Sequence, residues 1–197
     1  MQLGKIVKSN SHIDYICQIY NPYEVPQAPN SEDYAFGTFV RMDLGDERQL
    51  VGVVYDTVLF NPDFGRQGPR LSPETELAIF SPDYLGERAV LVGILTVGMI
   101  YPDGRVAQGV PPLAATADVI VERIDEDAIR SFHQGNPSLK IGYSSLLLSH
   151  PSSLAIHLLQ TITRRLTDLF PDQADLLSVL SSDLEWKSQI APMGGVR

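Results

Sequence analysis

Two long apolar runs set the pattern of the chain. Leu50–Phe60, LVGVVYDTVLF, and Ala89–Tyr101, AVLVGILTVGMIY, are rich in Val, Ile, Leu and aromatic residues, which fit a pleated and buried surface. Each carries glycine within the run, which reads as a long strand curving at a bend or bulge. Shorter segments precede them. Leu3–Lys8 is a brief strand, and Ile13–Tyr20 sets Ile13, Tyr15, Cys17 and Ile19 on one face of the pleat. Ala35–Asp43 alternates Phe36, Thr38, Val40 and Met42 against Gly37, Phe39 and Arg41. Leu44–Arg48 is a turn by composition, so 35–43 and 49–60 form an expected antiparallel hairpin. Ala117–Arg123 supplies a last strand. Glycines at 37, 52, 93 and 98 fit a strongly bent sheet, and the whole pattern predicts a small closed antiparallel β-barrel over 1–123.

After residue 123 the period changes from two to that of a helix. Asp125–His133 opens Asp-Glu-Asp and reads as a short acid-capped helix. Pro151 opens the strongest helical pattern, in which Leu154, Leu158, Ile162, Leu166, Leu169 and Phe170 make one apolar stripe, widened by Ala155 and Leu159. Arg165 projects near the edge of that stripe, where its stem covers apolar surface while its head stays wet. Pro171-Asp172 ends this helix and starts another, with Leu176, Leu177, Leu180 and Leu184 recurring up to Trp186. The two make a helical hairpin. The expected fold is therefore α+β: a barrel over 1–123 carrying an insertion at 61–87, then a helical region over 124–197. The insertion breaks the strand pattern and holds one short helix, expected over 73–79. A connection of that length between two core strands is unusual unless it is functional.

Charge narrows the range of partners. The chain of 197 residues has a net charge of −9, most of it in front: nine basic against sixteen acidic residues over 1–123, and six against eight over 124–197. An acidic surface repels phosphate backbones and anionic lipid, so nucleic acid and membrane are not expected partners. Cys17 is the single cysteine, which rules out an intrachain disulfide, and its apolar setting suits a small buried hydrophobe. The longest strongly apolar run, Ala89–Tyr101, is interrupted by Gly93 and Gly98 and is too short for a membrane helix. No signal-peptide core opens the sequence, and a cytoplasmic location is the default expectation.

Chemistry-bearing motifs are absent. There is no G-x-x-x-x-G-K-[ST] phosphate loop, no G-x-G-x-x-G after a strand, and no G-x-S-x-G nucleophile elbow. His12, His133, His150 and His157 lack metal-ligand spacing with one another or with Cys17. The serines at 144, 145, 149, 152 and 153 cluster around a helix start, where serine is favoured as a cap. No enzyme, cofactor or metal is expected. The best candidate surface is the loop after the first long strand: Asn61, Asp63, Phe64, Arg66 and Arg70, in which two arginines stand in an acidic half, framed by Gly65 and Gly68. Arginine presents a rigid donor fork suited to carboxylate or phosphate, so the loop is expected to dock an acidic partner or bind an anion.

The order and spacing of LGKIVKSNSHIDYICQIY, AFGTFVRMD, LVGVVYDTVLFNP, AVLVGILTVG and GVPPLAATADVIV carry a likeness. So do three local signals: Gly4-Lys5-Ile6-Val7-Lys8-Ser9, the Gly52-Val53-Val54 step, and Pro111-Pro112 followed by Ala115 and Val119. In these, residues 1–123 resemble the HAS-barrel, a small β-barrel at the N-terminus of rotary ATP synthase catalytic-type subunits and of HerA-type DNA-translocating ATPases. The resemblance implies a barrel that contributes to ring assembly rather than catalysis. In those ATPases a phosphate-loop domain follows, whereas here about seventy mostly helical residues follow. The combined expectation is a non-catalytic interaction or assembly protein. It would self-associate as a homo-oligomer or dock onto a larger complex through its barrel and the 61–87 insertion. The alternative is a small-molecule or anion sensor with a pocket at the barrel mouth.

Overall fold

The structure is a computed structural model that describes residues 1–61, 89–135 and 139–190. Its strands are β1 (Gln2–Ser9), β2 (Asp14–Ile19), β3 (Phe39–Asp43), β4 (Gln49–Phe60), β5 (Ala89–Ile100), β6 (Val106–Gln108) and β7 (Ile120–Arg123). Its helices are α1 (Glu126–His133), α2 (Ser144–Leu148), α3 (Ala155–Leu169) and, after a short 3-10 turn at Pro171–Gln173, α4 (Ala174–Ile190). Six strands close a ring in the order β1-β7-β3-β4-β5-β2, every pairing antiparallel, and β2 seals it by pairing with both β1 and the first half of β5. The second half of β5 takes β6 on the edge that β2 leaves. The fold is α+β, a closed six-stranded antiparallel barrel with a C-terminal helical region.

Both faces of the β4–β5 wall are buried over Leu50–Tyr55 of β4 and Val92–Met99 of β5, which is why these stretches read as near-continuous apolar runs rather than as alternation. Leu50 and Val54 of β4, with Val92, Ile94 and Met99 of β5, join Leu3, Ile6, Tyr15, Cys17, Val40, Met42 and Val121 inside the barrel. Val51, Val53 and Tyr55, with Leu95 and Val97, point outward into a second core shared with Ile129, Phe132, Tyr143, Leu147 and the buried stripe of α3. Two register steps arrange this. Between Val51 and Gly52 the pairing passes from Gly98 to Thr96, leaving Val97 as the extra residue; between Val54 and Asp56 it passes over Tyr55. Such bulges turn a strand locally and re-aim a side chain. The first keeps both Val97 and Met99 in apolar cores, and the second lays the Tyr55 ring across Gly93.

The helices follow from their ends and stripes. Asp125 is the N-cap of α1, its carboxylate accepting from Ala128 N at 2.8 Å, as the acid-led opening predicts. In α3, Leu158, Leu159, Ile162, Leu166 and Leu169 are buried, with Thr163 among them donating its hydroxyl to Leu159 O. Arg130 of α1 reaches the terminal carbonyl of Leu169, tying two helices together at an end where carbonyls lack intrahelical donors. Phe170 and Pro171–Gln173 then turn the chain into α4, which packs on α3 through Leu177, Leu180 and Leu184.

Several boundaries differ from the sequence reading. The third strand begins at Phe39 and not Ala35, because Gly37 holds φ +84° in a turn closed by Thr38 N to Ala35 O at 2.9 Å. The last strand begins at Ile120 and not Ala117, because Asp118 has φ +65° and leaves the extended region. The long helix starts at Ala155 and not Pro151; Ser152 Oγ accepts from Leu154 N at 3.1 Å and holds a preceding turn. Strand β6 and helix α2 were not expected, being only three and five residues long. The helix expected over 73–79, and the body of the 61–87 insertion, lie outside the described residues.

Candidate interaction surface

Of the five residues singled out in the loop after β4, only Asn61 is described; it follows the strand and is exposed. Asp63, Phe64, Arg66 and Arg70 lie outside the described residues. The end of β4 that leads to them is apolar and open, with Leu59 76% exposed and Val58 and Phe60 about half exposed.

A polar cluster among the described residues forms where Asp14 begins β2. Its Oδ1 accepts the Tyr55 hydroxyl at 2.8 Å, and its Oδ2 accepts Asn10 Nδ2 at 3.2 Å and lies 3.7 Å from His150 Nε2. The His150 ring stands edge-on to Tyr55, centroids 4.7 Å apart, and its Nδ1 accepts from Ser152 N. Burial first, then the bond to Asp14, pushes the Tyr55 phenol well above its ordinary range, so it stays a donor. An acid, an imidazole and a phenol are brought together here, yet each polar end is turned to another. Ser152 Oγ accepts from Leu154 N and His150 Nδ1 accepts from a main-chain N–H, so both side chains hold the backbone of the strap. The cluster fastens the strap between α2 and α3 to the barrel.

A second tie lies at the other end of the same wall. His133, fully buried at the end of α1, donates Nδ1–H to Ile129 O at 2.7 Å and accepts the Tyr143 hydroxyl at Nε2, 2.6 Å. Phe39 of β3 meets the ring edge-on at 5.3 Å. Burial drives the imidazole pKa down to about 4, against the smaller opposing effect of Ile129 O, and His133 is neutral at pH 7. Nearby, Gln108 of β6 donates Nε2–H to Phe132 O and Lys140 O and accepts from Gly142 N, stitching the barrel to the segment after α1. Cys17 is wholly enclosed, and burial raises its thiol pKa to about 12, which suits an inert core residue. Among the described residues no group of three or more His, Cys, Asp or Glu is placed to hold a metal ion, and no helix is long and apolar enough to cross a membrane.

The most extended unpartnered apolar surface among the described helices is on α4. Leu177 and Leu184 face α3 and are buried, but Leu176, Val179 and Trp186 point away, Val179 being 69% and Trp186 62% exposed. At three- and seven-residue steps these side chains share one face of the helix. Of the leucines that recur at helical spacing, the structure buries Leu177 and Leu184 and leaves Leu176 exposed, about 100° around the helix from Leu177. Over Pro171–Ile190 the chain carries four acids, Asp172, Asp175, Asp183 and Glu185, against one base, Lys187; Lys187 pairs with Asp183 at 2.7 Å, and Glu185 lines the α3–α4 groove with Arg164.

A family model described as a domain of unknown function (DUF8166) matches residues 1–197. No curated protein matches the chain.

Proposed function

From the premise that the chain belongs to the DUF8166 family, we propose that it is a non-catalytic assembly protein that docks onto another protein through the outer face of α4. The observation that carries this reading is the row Leu176, Val179 and Trp186, left open on a helix whose opposite face is already packed. An exposed tryptophan among aliphatic residues is the kind of anchor that dominates interface energetics. The likeness to the HAS-barrel supports an assembly role in place of chemistry. The excess of acid over base on α4 and its lead-in turn favours a partner whose apolar groove is rimmed by Lys or Arg. Two copies of this face brought together would set like charges against each other.

The test uses the full chain and its Trp186→Glu variant as baits under native conditions, with sedimentation over a wide concentration range in parallel. Support is a partner retained by the wild type, lost in the variant and released by salt, with the fold of the variant intact by circular dichroism. Identical captures by both baits, a strict monomer retaining nothing, or a concentration-dependent dimer that the variant abolishes would each overturn the reading.

A further inference from the structure

Where β7 leaves the barrel for α1, a pocket of about 360 Å³ is lined by Met1, Arg123, Ile124, Asp125, Glu126 and Arg165. Two guanidinium groups reach it from different elements, Arg123 from the end of β7 and Arg165 from the middle of α3. Arg123 is anchored: its Nη1 donates to Asp33 Oδ1 at 3.0 Å and its main-chain N–H to Met1 O at 2.9 Å. Arg165 is not. Between the buried Ile162 and Leu166 on its own helix, it is half-buried and makes no hydrogen bond or ion pair among the described residues. Burial, then the charge of Arg123, lowers its pKa, and the attraction of Glu126 is the weaker influence. Asp125, the other acid of the pocket, is committed to Ala128 N as the cap of α1. A protein of net charge −9 thus holds two cations together beside an opening that Asp125 and Glu126 also line, and among the described residues Arg165 forms no ion pair with either acid.

We propose that Arg123 and Arg165 form a binding site for a compact oxyanion, a phosphate or a dicarboxylate. Each guanidinium offers parallel N–H donors that match two oxygens of such a group. Glu126 is the internal competitor that a bound anion displaces from the neighbourhood of Arg165. The site is separate from the outer face of α4 and does not depend on the assembly role.

Isothermal titration of the full chain with inorganic phosphate and, separately, with succinate tests the site and distinguishes the two sources of the shared chemistry. The expected result is saturable binding of at least one anion, weakened by added sodium chloride. Arg165→Gln is expected to weaken it by about tenfold or more, the loss of a charge-assisted pair of hydrogen bonds. Arg164→Gln makes the same charge change on the exposed neighbour and is expected to alter it by less than about twofold. Glu126→Gln tightens it. Should Arg165→Gln fail to fold, the side-chain Nε resonances of Arg123 and Arg165 in the wild type serve instead, both shifting on titration while that of Arg164 does not. The absence of saturable binding by either anion, equal losses in Arg165→Gln and Arg164→Gln, or unmoved Arg123 and Arg165 resonances overturns the proposal.

Discussion

His133 makes the stability of this fold sensitive to mild acid, and the size of the effect follows from its surroundings. The ring is fully enclosed among Phe39, Phe132 and Tyr143, and its two nitrogens are committed, one to a carbonyl and one to a hydroxyl. Its pKa falls from 6.5 to about 4. A folded-state value below the unfolded one means that the unfolded chain takes up the proton first as pH falls. The contribution is therefore complete above 6.5 and is lost progressively down to about 4. At about 1.4 kcal/mol for each unit, the full loss is about 3 kcal/mol, and about 2 kcal/mol of it has gone near pH 5, above the range where most carboxylates titrate. Urea denaturation near pH 7.5 and near pH 5 measures it, followed by far-ultraviolet circular dichroism because the single tryptophan, Trp186, is already exposed in the folded state. His133→Gln is expected to be less stable at neutral pH, since Tyr143 loses its acceptor, but to lack most of the slope between the two pH values. Equal slopes in wild type and variant refute the reasoning, because His12, His150 and His157 are common to both.

Two further outcomes follow from packing. Gly93→Ala places a methyl 2.7 Å from Cζ of Tyr55, so the ring must leave its place over β5 and release Asp14; chemical denaturation should show a loss of about 2–4 kcal/mol, and the loss should largely vanish in a Tyr55→Ala background. Leu184→Ala, at the fully buried face of α4, should cost about 2–5 kcal/mol, whereas Leu176→Ala on the open face should change stability by no more than about 0.5 kcal/mol.

The barrel was legible because its signals are local. Gly52, Gly93 and Gly98 stand within apolar runs, and the structure shows why: a methyl at Gly52 would meet Ile94, one at Gly93 the Tyr55 ring, one at Gly98 Phe132. The Asp125 cap and the Pro171 corner were legible for the same reason. What depends on contacts between distant segments was not. His133 gave no local sign that Phe39 and Tyr143 would enclose it, nor Asp14 that Tyr55 and His150 would converge on it. Nor did spacing alone separate the two faces of α4, since Leu176 and Leu177 are equally apolar and only the position of α3 distinguishes them. The helical stripe alone places Arg165 at an apolar edge with its head in water; that a second arginine from β7 lines the same pocket depends on the tertiary fold.

Burial on both sides of the barrel wall bears on where an assembly surface can lie. Phe39, Val51, Val53, Leu95 and Val97 point out of the barrel, and by themselves they would form an open apolar patch of the kind that draws a partner. The chain's own helices already fill that patch, with Ile129, Phe132, Leu158, Ile162 and Leu166 seated on it. Gln108 adds hydrogen bonds across the same junction, and the His133 ring on Phe39 and the His150 ring on Tyr55 add edge-on contacts, so its release would expose two apolar faces and the Gln108 partners at once. A partner would have to match all of that to displace the helices. The interaction that the likeness to assembly barrels assigns to the barrel is thus moved, in this reading, to the surface that its covering helices present, and α4 is the helix of that layer whose outer face carries Leu176, Val179 and Trp186.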